Sequence, residues 1–104
     1  MPVKLEFQHF HGCPNGPVLL PRVREAIRRV GLDVEFIETM VEDEETASRT
    51  KFLGSPTLLI NGQDLLGVSL PDKPHFACRY YADGLPSLDL IIQRIKDATF
   101  LPDG

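Results

Sequence analysis

The period of apolar and polar residues changes twice near the start of the chain. Residues 3–10 alternate between the two classes, which predicts a β-strand. Residues 17–30 carry apolar side chains at every third or fourth position and predict an amphipathic helix that ends at Gly31. Alternation returns over residues 33–38 and predicts a second strand. Because a helix connects the two strands, we expect them to pair in parallel through a right-handed crossover.

The middle of the chain predicts a short helix followed by a hairpin. Residues 42–51 begin with acidic and end with basic side chains, which suits the two ends of a helix dipole. Residues 56–60 and 63–66 are two strand-like runs separated by Asn61-Gly62. Since Asn-Gly supplies the two positive φ angles of a type I′ turn, we expect two antiparallel strands here.

The last third predicts a long irregular segment and one more helix. Ser87 can cap a helix over residues 88–99, and residues 101–104 are expected to form a loose tail. Residues 67–86 show little periodicity and are longer than a typical connection of about 4 to 6 residues. This segment contains Cys78, so we expect it to have a functional role.

The length, charge and cysteine content of the chain exclude several classes of protein. A chain of 104 residues with 42% hydrophobic residues has the size of one domain, spanning residues 1–104. The net charge is -4 and the one dense charge run, at residues 42–45, is acidic, so no nucleic-acid partner is expected. Charges interrupt the apolar stretches at the N-terminus, which predicts no membrane partner and a cytoplasmic location. Cys13 and Cys78 are too few for a disulfide scaffold and are expected to be thiols.

The order of the predicted elements resembles that of the thioredoxin fold. Cys13 stands between the first strand and the first helix, and Ser55-Pro56-Thr57 opens the third strand. The resemblance implies an α/β fold of order βαβαββα, with a central mixed four-stranded sheet flanked by helices. It implies a cis peptide bond at Pro56 beside the active thiol. It also accounts for Pro21, because thioredoxins carry a helix-kinking proline eight residues after their first cysteine.

Three segments resemble, more narrowly, a family of small prokaryotic thioredoxin-like proteins, some of which carry selenocysteine at the position of Cys13. These segments are residues 10–15, 52–57 and 78–79. Because selenium is a stronger nucleophile and leaving group than sulfur, the resemblance implies that Cys13 is a reactive position. The motif reads Cys-Pro-Asn-Gly, however, and lacks the second cysteine of Cys-x-x-Cys. A dithiol cycle within the motif is therefore excluded.

Cys13 is the predicted nucleophile. A thiol at a helix N-terminus faces unpaired backbone N–H groups, which stabilise the thiolate and lower its pKa from about 8.5 towards about 3.5–7.5. The alternative is a buried cysteine that acts as a small hydrophobic residue. We favour the reactive thiol, because a Gly-Cys-Pro turn at the end of a strand is not a typical core position.

The residues around this thiol form the predicted substrate-binding site. In glutathione-using members of the fold, the backbone of the residue before the cis-proline pairs with the substrate, and Ser55 holds that place. The candidate binding residues are Ser55, Pro56, Thr57, Pro14, Asn15 and Arg79. Arg79 could grip a substrate carboxylate or stabilise a thiolate through its planar guanidinium group, although a solvated surface arginine is the commoner case.

The role of Cys78 depends on where the long segment folds. If it folds over the helix terminus, Cys78 can attack an oxidised Cys13 and form a disulfide. If it folds elsewhere, an external thiol such as glutathione resolves Cys13, and Cys78 is a loop thiol or a buried structural residue. The sequence leaves these alternatives open. It also leaves open a role for His11 as a base near the thiolate, against a simple surface position.

A metal site would use two nitrogen and two sulfur donors, which suit zinc or a softer ion. The donors are His11, Cys13, His75 and Cys78. Their spacing is far from the usual Cys-x-x-Cys pattern of zinc sites, and a cis-proline beside the thiol disfavours metal capture in thioredoxin folds. No metal and no other cofactor is therefore expected.

Two functions remain as hypotheses. In the first, the protein is a thiol-redox enzyme in which Cys13 attacks a disulfide or a peroxide, and glutathione, a protein thiol or Cys78 clears the product. In the second, it is a non-catalytic thioredoxin-like module that holds a protein, a thiol ligand or a thiophilic metal. The missing motif cysteine adds weight to the second hypothesis, and the redox enzyme stays the first. The replacement Cys13→Ser separates them, because it abolishes redox turnover but leaves recognition by the groove nearly intact.

Overall fold

The structure is a computed structural model that describes residues 2–100. Strands and helices follow one another as β1 (Val3–His9), α1 (Gly16–Val30), β2 (Val34–Met40), α2 (Glu44–Thr50), β3 (Thr57–Ile60), β4 (Gln63–Asp64) and α3 (Leu88–Phe100). The predicted loose tail at residues 101–104 lies outside the described residues. Within residues 2–100, every helix is too short or too polar to cross a membrane.

The strands form one mixed sheet in the order β2-β1-β3-β4. β1 pairs in parallel with β2, as the crossover through α1 predicts, and antiparallel with β3, while β3 and β4 form the hairpin. Asn61 and Gly62 have φ angles of 51° and 82°, the two positive values that an Asn-Gly turn requires. The predicted α/β fold of order βαβαββα with a mixed four-stranded sheet is confirmed, and it is compatible with a thioredoxin-like fold.

The main core lies between the sheet and the helices α1 and α3. It combines the inward side chains of the central strands with one apolar face of each helix, as the sequence periodicity predicts. Its fully buried members include Leu5, Phe7, Leu19, Val23, Leu58, Ile91 and Ile95. Burying a side chain of this size stabilises the fold by about 1.5–3 kcal/mol relative to leaving it exposed. A smaller cluster around α2 consists of Val41, Ala47 and Phe52.

β4 is shorter than predicted because of the side chain of Asp64, a residue that also contributes to the candidate functional site. The strand expected over residues 63–66 ends at Asp64. The Asp64 carboxylate accepts hydrogen bonds from the backbone N–H groups of Leu66 (3.2 Å) and Val68 (3.3 Å). A side chain that bonds nearby backbone in this way competes with the strand ladder. The N–H group of Leu65 still donates to the carbonyl oxygen of Leu58 (3.0 Å), and the chain turns away from β3 after it.

The helix boundaries differ from the prediction by a few residues. α1 begins at Gly16, with Pro17 in its first turn, and contains Pro21. α2 begins at Glu44 rather than at residue 42, because Asp43 is extended and its carboxylate caps the helix. Such a cap satisfies one of the backbone N–H groups that have no partner in the first turn.

Candidate functional site

Cys13 lies in the turn between β1 and α1, at the end of the sheet where β3 begins. Gly12 has a φ of 87°, a conformation that glycine adopts without steric cost. Cys13 is buried, with 3% of the residue exposed, and its Sγ lies 3.4 Å from the carbonyl oxygen of Ser55. The Ser55-Pro56 peptide bond is cis, as the resemblance implies. The predicted nucleophile and the cis-proline are therefore adjacent.

The surroundings of Cys13 favour its thiolate. Burial of the thiol raises the pKa of Cys13, but hydrogen bonds to the sulfur act in the opposite direction and the net shift is downward. These bonds come from the Ser55 side chain, from two backbone N–H groups and from Cys78. The two N–H groups belong to Asn15 and Gly16, at the start of α1, where backbone donors lack partners within the helix. The direction is the one expected for a thiol at a helix N-terminus.

The long segment between β4 and α3 brings Cys78 to Cys13. Interaction with the Cys13 thiol raises the pKa of Cys78, whereas the pKa of Cys13 is lowered, so Cys13 loses its proton at a lower pH than Cys78. Neither cysteine is in a disulfide, and Cys78 is exposed whereas Cys13 is buried. Of the placements that the sequence left open, the structure shows the segment folded over the thiol. Structural burial of Cys78 is excluded.

Residues 75–79, which we call the strap, run beside the residues that precede β3. The N–H group of Ser55 donates to the carbonyl oxygen of Ala77 (2.9 Å), and the N–H group of Arg79 donates to the carbonyl oxygen of Ser55 (2.8 Å). Cys78, between them, is the parallel bridge partner of Ser55. The strap therefore occupies both backbone groups of the residue that we predicted to pair with a substrate.

Arg79 anchors the strap through a buried ion pair. Its guanidinium group donates to the two carboxylate oxygens of Asp64 at 2.7 and 2.9 Å and to the hydroxyl of Thr57 at 3.2 Å. The two charged side chains are 9% and 1% exposed. The guanidinium also lies 4.7 Å from the ring centroid of Tyr81, a distance at which cations attract aromatic rings. With these partners, Arg79 holds the strap in place, and its contact with a substrate carboxylate stays a prediction.

Thr57 and Tyr81 complete the hydrogen bonding around the cis-proline. The Thr57 hydroxyl donates to the carbonyl oxygen of Gly54 (2.6 Å), and the Tyr81 hydroxyl donates to the carbonyl oxygen of Pro56 (2.5 Å). Burial raises the pKa of Tyr81 to about 12. Buried polar groups are stable only when they are bonded in this manner. Thr57 is buried, and its hydroxyl group therefore stabilises the backbone on the N-terminal side of the cis-proline.

We expect the loss of the Tyr81 hydroxyl to change how stability depends on pH. The pKa of Tyr81 is about 12 in the folded protein and about 10 when unfolded, so its stabilisation is complete below pH 10 and is lost as the pH rises towards 12. By pH 11 the loss amounts to about 1 kcal/mol. Urea unfolding of Tyr81→Phe should therefore show a shallower decline between pH 9 and 11. Tyr80→Phe is the matched control, because Tyr80 is 85% exposed, and an equal change in both variants would contradict the expectation.

The other predicted site residues lie in or beside the turn that carries Cys13. Pro14 is exposed and Asn15 is half-buried at the N-cap position of α1, where its side chain makes no capping hydrogen bond. His11 is at the surface, 3.5 Å from Glu42, and His9 lies 2.7 Å from Glu38. Of the two alternatives left open for His11, a base near the thiolate or a surface position, the structure shows the surface position.

Three or more metal-binding side chains do not come together anywhere in the part of the chain that the structure describes. The set considered from the sequence therefore does not assemble as a four-donor site. Cys13 and Cys78 both lie beside Ser55, but His11 pairs with a carboxylate at the surface instead.

Sequence reasoning missed two residues of the site, Asp64 and Tyr81. Asp64 had one sequence signal: it is a lone carboxylate two residues after the Asn61-Gly62 turn and directly before Leu65 and Leu66, which is an unusual place for a charge unless it is paired. Tyr81 follows Arg79 by two residues within a segment without periodicity, and nothing in that pattern distinguishes it from the neighbouring exposed Tyr80.

No protein-family model matches this chain, and the search of curated proteins finds no match to it either. The function is therefore inferred from the geometry of the site.

Proposed function

We propose that the protein is a thiol-dependent redox protein in which Cys13 is the nucleophile and Cys78 the resolving thiol. The observation that carries this proposal is the placement of both cysteines on Ser55: Cys78 is its parallel bridge partner, and the Cys13 Sγ lies 3.4 Å from its carbonyl oxygen. The thioredoxin-like resemblance, which the observed topology is compatible with, supports the same assignment for Cys13. Cys78 supplies from the strap the second thiol that the Cys-Pro-Asn-Gly motif lacks.

The two thiols differ in the way that such a cycle requires. A thiolate is the nucleophile in thiol chemistry, and Cys13 is the cysteine with the lowered pKa. After Cys13 attacks a disulfide or a peroxide, its sulfur becomes an electrophile. The strap holds Cys78 beside Ser55, whose carbonyl group contacts the Cys13 sulfur, so the resolving thiol is already positioned near the oxidised Cys13.

This function predicts an internal disulfide that depends on both cysteines. The reduced protein is treated with hydrogen peroxide or with glutathione disulfide, and the products are mapped by mass spectrometry without reduction. We expect a Cys13–Cys78 disulfide in the wild-type monomer. Cys78→Ser should instead accumulate a sulfenic acid on Cys13 that dimedone traps after peroxide treatment, whereas Cys13→Ser should stay unmodified. A wild-type chain that forms no internal disulfide with either oxidant would overturn the proposal.

The contact between the two thiols also favours a second candidate function. Two sulfur ligands suit a soft monovalent ion such as copper(I), so a non-catalytic module could hold such an ion between Cys13 and Cys78. Copper(I) would then protect both thiols from alkylation in equal proportion, and oxidants would produce no turnover. Sustained consumption of peroxide in the presence of a thiol reductant would decide for the redox function.

A further inference from the structure

The two sulfurs of the pair differ in access. Cys13 is 3% exposed, beneath the strap and against the carbonyl group of Ser55, whereas Cys78 is exposed on the strap itself. A reaction partner that approaches from solvent therefore meets Cys78 first, and only a small molecule can reach Cys13 while the strap is docked.

We propose that the two sulfurs serve different partners: a small hydroperoxide oxidises Cys13 beneath the docked strap, and the thiol that later reduces the disulfide attacks Cys78. This inference rests on the proposed function and specifies its oxidant and the direction of its reduction. Peptide disulfides are disfavoured as oxidants by the same geometry.

The strap blocks a peptide substrate by holding the backbone groups that it would need. Extended peptides bind sheet edges through main-chain hydrogen bonds, and both backbone groups of Ser55 already bond Ala77 and Arg79. To displace the strap, a peptide has to break these two bonds and the buried ion pair between Arg79 and Asp64. Removal of one partner from such a pair is strongly destabilising. A hydroperoxide needs none of these groups.

The hydroperoxide oxidises the two cysteines in two steps. The Cys13 thiolate attacks one oxygen of the hydroperoxide, an S–O bond forms, the O–O bond breaks, and the departing alkoxide or hydroxide takes a proton from water. The Cys78 sulfur then attacks the sulfur of the Cys13 sulfenic acid. The S–S bond forms, the S–O bond breaks, and hydroxide leaves with the Cys78 proton as water. Both cysteines have been oxidised and the hydroperoxide has been reduced.

The reduction steps use a small thiol as the electron donor. Its thiolate attacks Cys78, the bond between the two cysteines breaks, and Cys13 leaves as a thiolate. A second donor thiolate attacks the donor's sulfur in the mixed disulfide, which releases Cys78 and forms the donor disulfide. Cys78 is the exposed sulfur, and Cys13 is the better leaving group because the thiol with the lower pKa leaves faster.

The position of the mixed disulfide tests this inference. The wild-type protein is oxidised with one equivalent of hydrogen peroxide, purified, and mixed with glutathione. The reaction is stopped with acid at short times, free thiols are alkylated, and the peptides are mapped. We expect glutathione on Cys78 and the alkyl group on Cys13, in an excess of at least about tenfold over the reverse arrangement. Glutathione mainly on Cys13 would overturn the inference and leave the proposed function standing. Failure to form the internal disulfide would overturn both.

The choice of oxidant gives a second test. We compare the rates at which hydrogen peroxide and an extended peptide disulfide convert the reduced protein to the internal disulfide, at equal concentrations. Peroxide should act at least about tenfold faster, because a tenfold difference corresponds to only about 1.4 kcal/mol and strap displacement costs more than that. A peptide disulfide that oxidises the protein as fast as peroxide would overturn the assignment of the oxidant.

Discussion

Asp64→Ala is expected to lower the free energy of unfolding by about 3–5 kcal/mol and to release the strap. The change leaves the Arg79 guanidinium buried without its carboxylate partner, and an unpaired buried charge is among the most destabilising features of a mutant. It also removes the carboxylate that bonds the backbone after β4. Urea unfolding measures the loss of stability. The rate of Cys13 alkylation by a bulky maleimide measures the release of the strap, and we expect it to rise.

Two further variants test whether the loss of stability is specific to the buried ion pair or follows from the loss of any charged side chain. The double variant Asp64→Leu with Arg79→Met replaces both charges by apolar side chains and should recover much of the lost stability, because no buried charge is then unpaired. Arg28→Ala breaks an exposed ion pair with Glu25 and should change stability little. If Asp64→Ala were no more destabilising than Arg28→Ala, the ion pair would not be the anchor of the strap.

Gly54→Ala is expected to displace the strap while keeping every functional side chain. A Cβ atom at this position would lie 2.9 Å from the Cβ of Arg79 and 3.1 Å from the carbonyl oxygen of Ala77. Gly54 also has a φ of 111°, a conformation that side chains rarely adopt, at a cost of about 1–3 kcal/mol. Since backbone atoms cannot rotate away from the new methyl group, the strap has to move. We expect maleimide to alkylate Cys13 at least about tenfold faster than in the wild type. A tenfold change corresponds to a loss of only about 1.4 kcal/mol in the free energy of strap docking.

Gly84→Ala is the matched control for this variant. Gly84 has a similarly positive φ of 83°, in the connection between β4 and α3, but its added Cβ would meet nothing within 4 Å. Backbone strain is therefore common to both variants, and the clash with the strap is specific to Gly54. Equal alkylation rates in the two variants would show that the strap does not limit access to Cys13. In Gly54→Ala we also expect the peptide disulfide to consume the Cys13 thiol faster than in the wild type, with little change in the rate at which peroxide consumes that thiol.

These variants distinguish positioning of Cys78 from the chemistry of Cys13. Release of the strap removes Cys78 from Cys13 but leaves the backbone N–H groups of Asn15 and Gly16 at the sulfur. The sulfenic acid on Cys13 should therefore still form in Gly54→Ala, and it should persist long enough for dimedone to trap it. A wild-type chain under the same conditions should yield the disulfide instead.

Most of the fold follows from local patterns. The helices and β1 show clear periodicities, and the Asn61-Gly62 turn determines the hairpin through its two positive φ angles. The parallel pairing of β1 and β2 follows from the helix that connects them. β4 ended early because the Asp64 side chain bonds the backbone that follows it, and periodicity carries no signal for such a bond.

The sequence by itself determined that Cys13 and Pro56 lie together at one end of the sheet. Cys13 at the start of α1 and Pro56 at the start of β3 occupy positions fixed by the boundaries of local elements, and a helix N-terminus presents unpaired N–H groups in any tertiary context. Only the tertiary structure decided the rest of the site: that Cys78 meets Cys13, that the strap fills the edge at Ser55, and that Arg79 pairs with Asp64. The physical reason is that a segment without periodicity is held by contacts between residues far apart in the chain, a few hydrogen bonds and one buried ion pair, which no local pattern encodes.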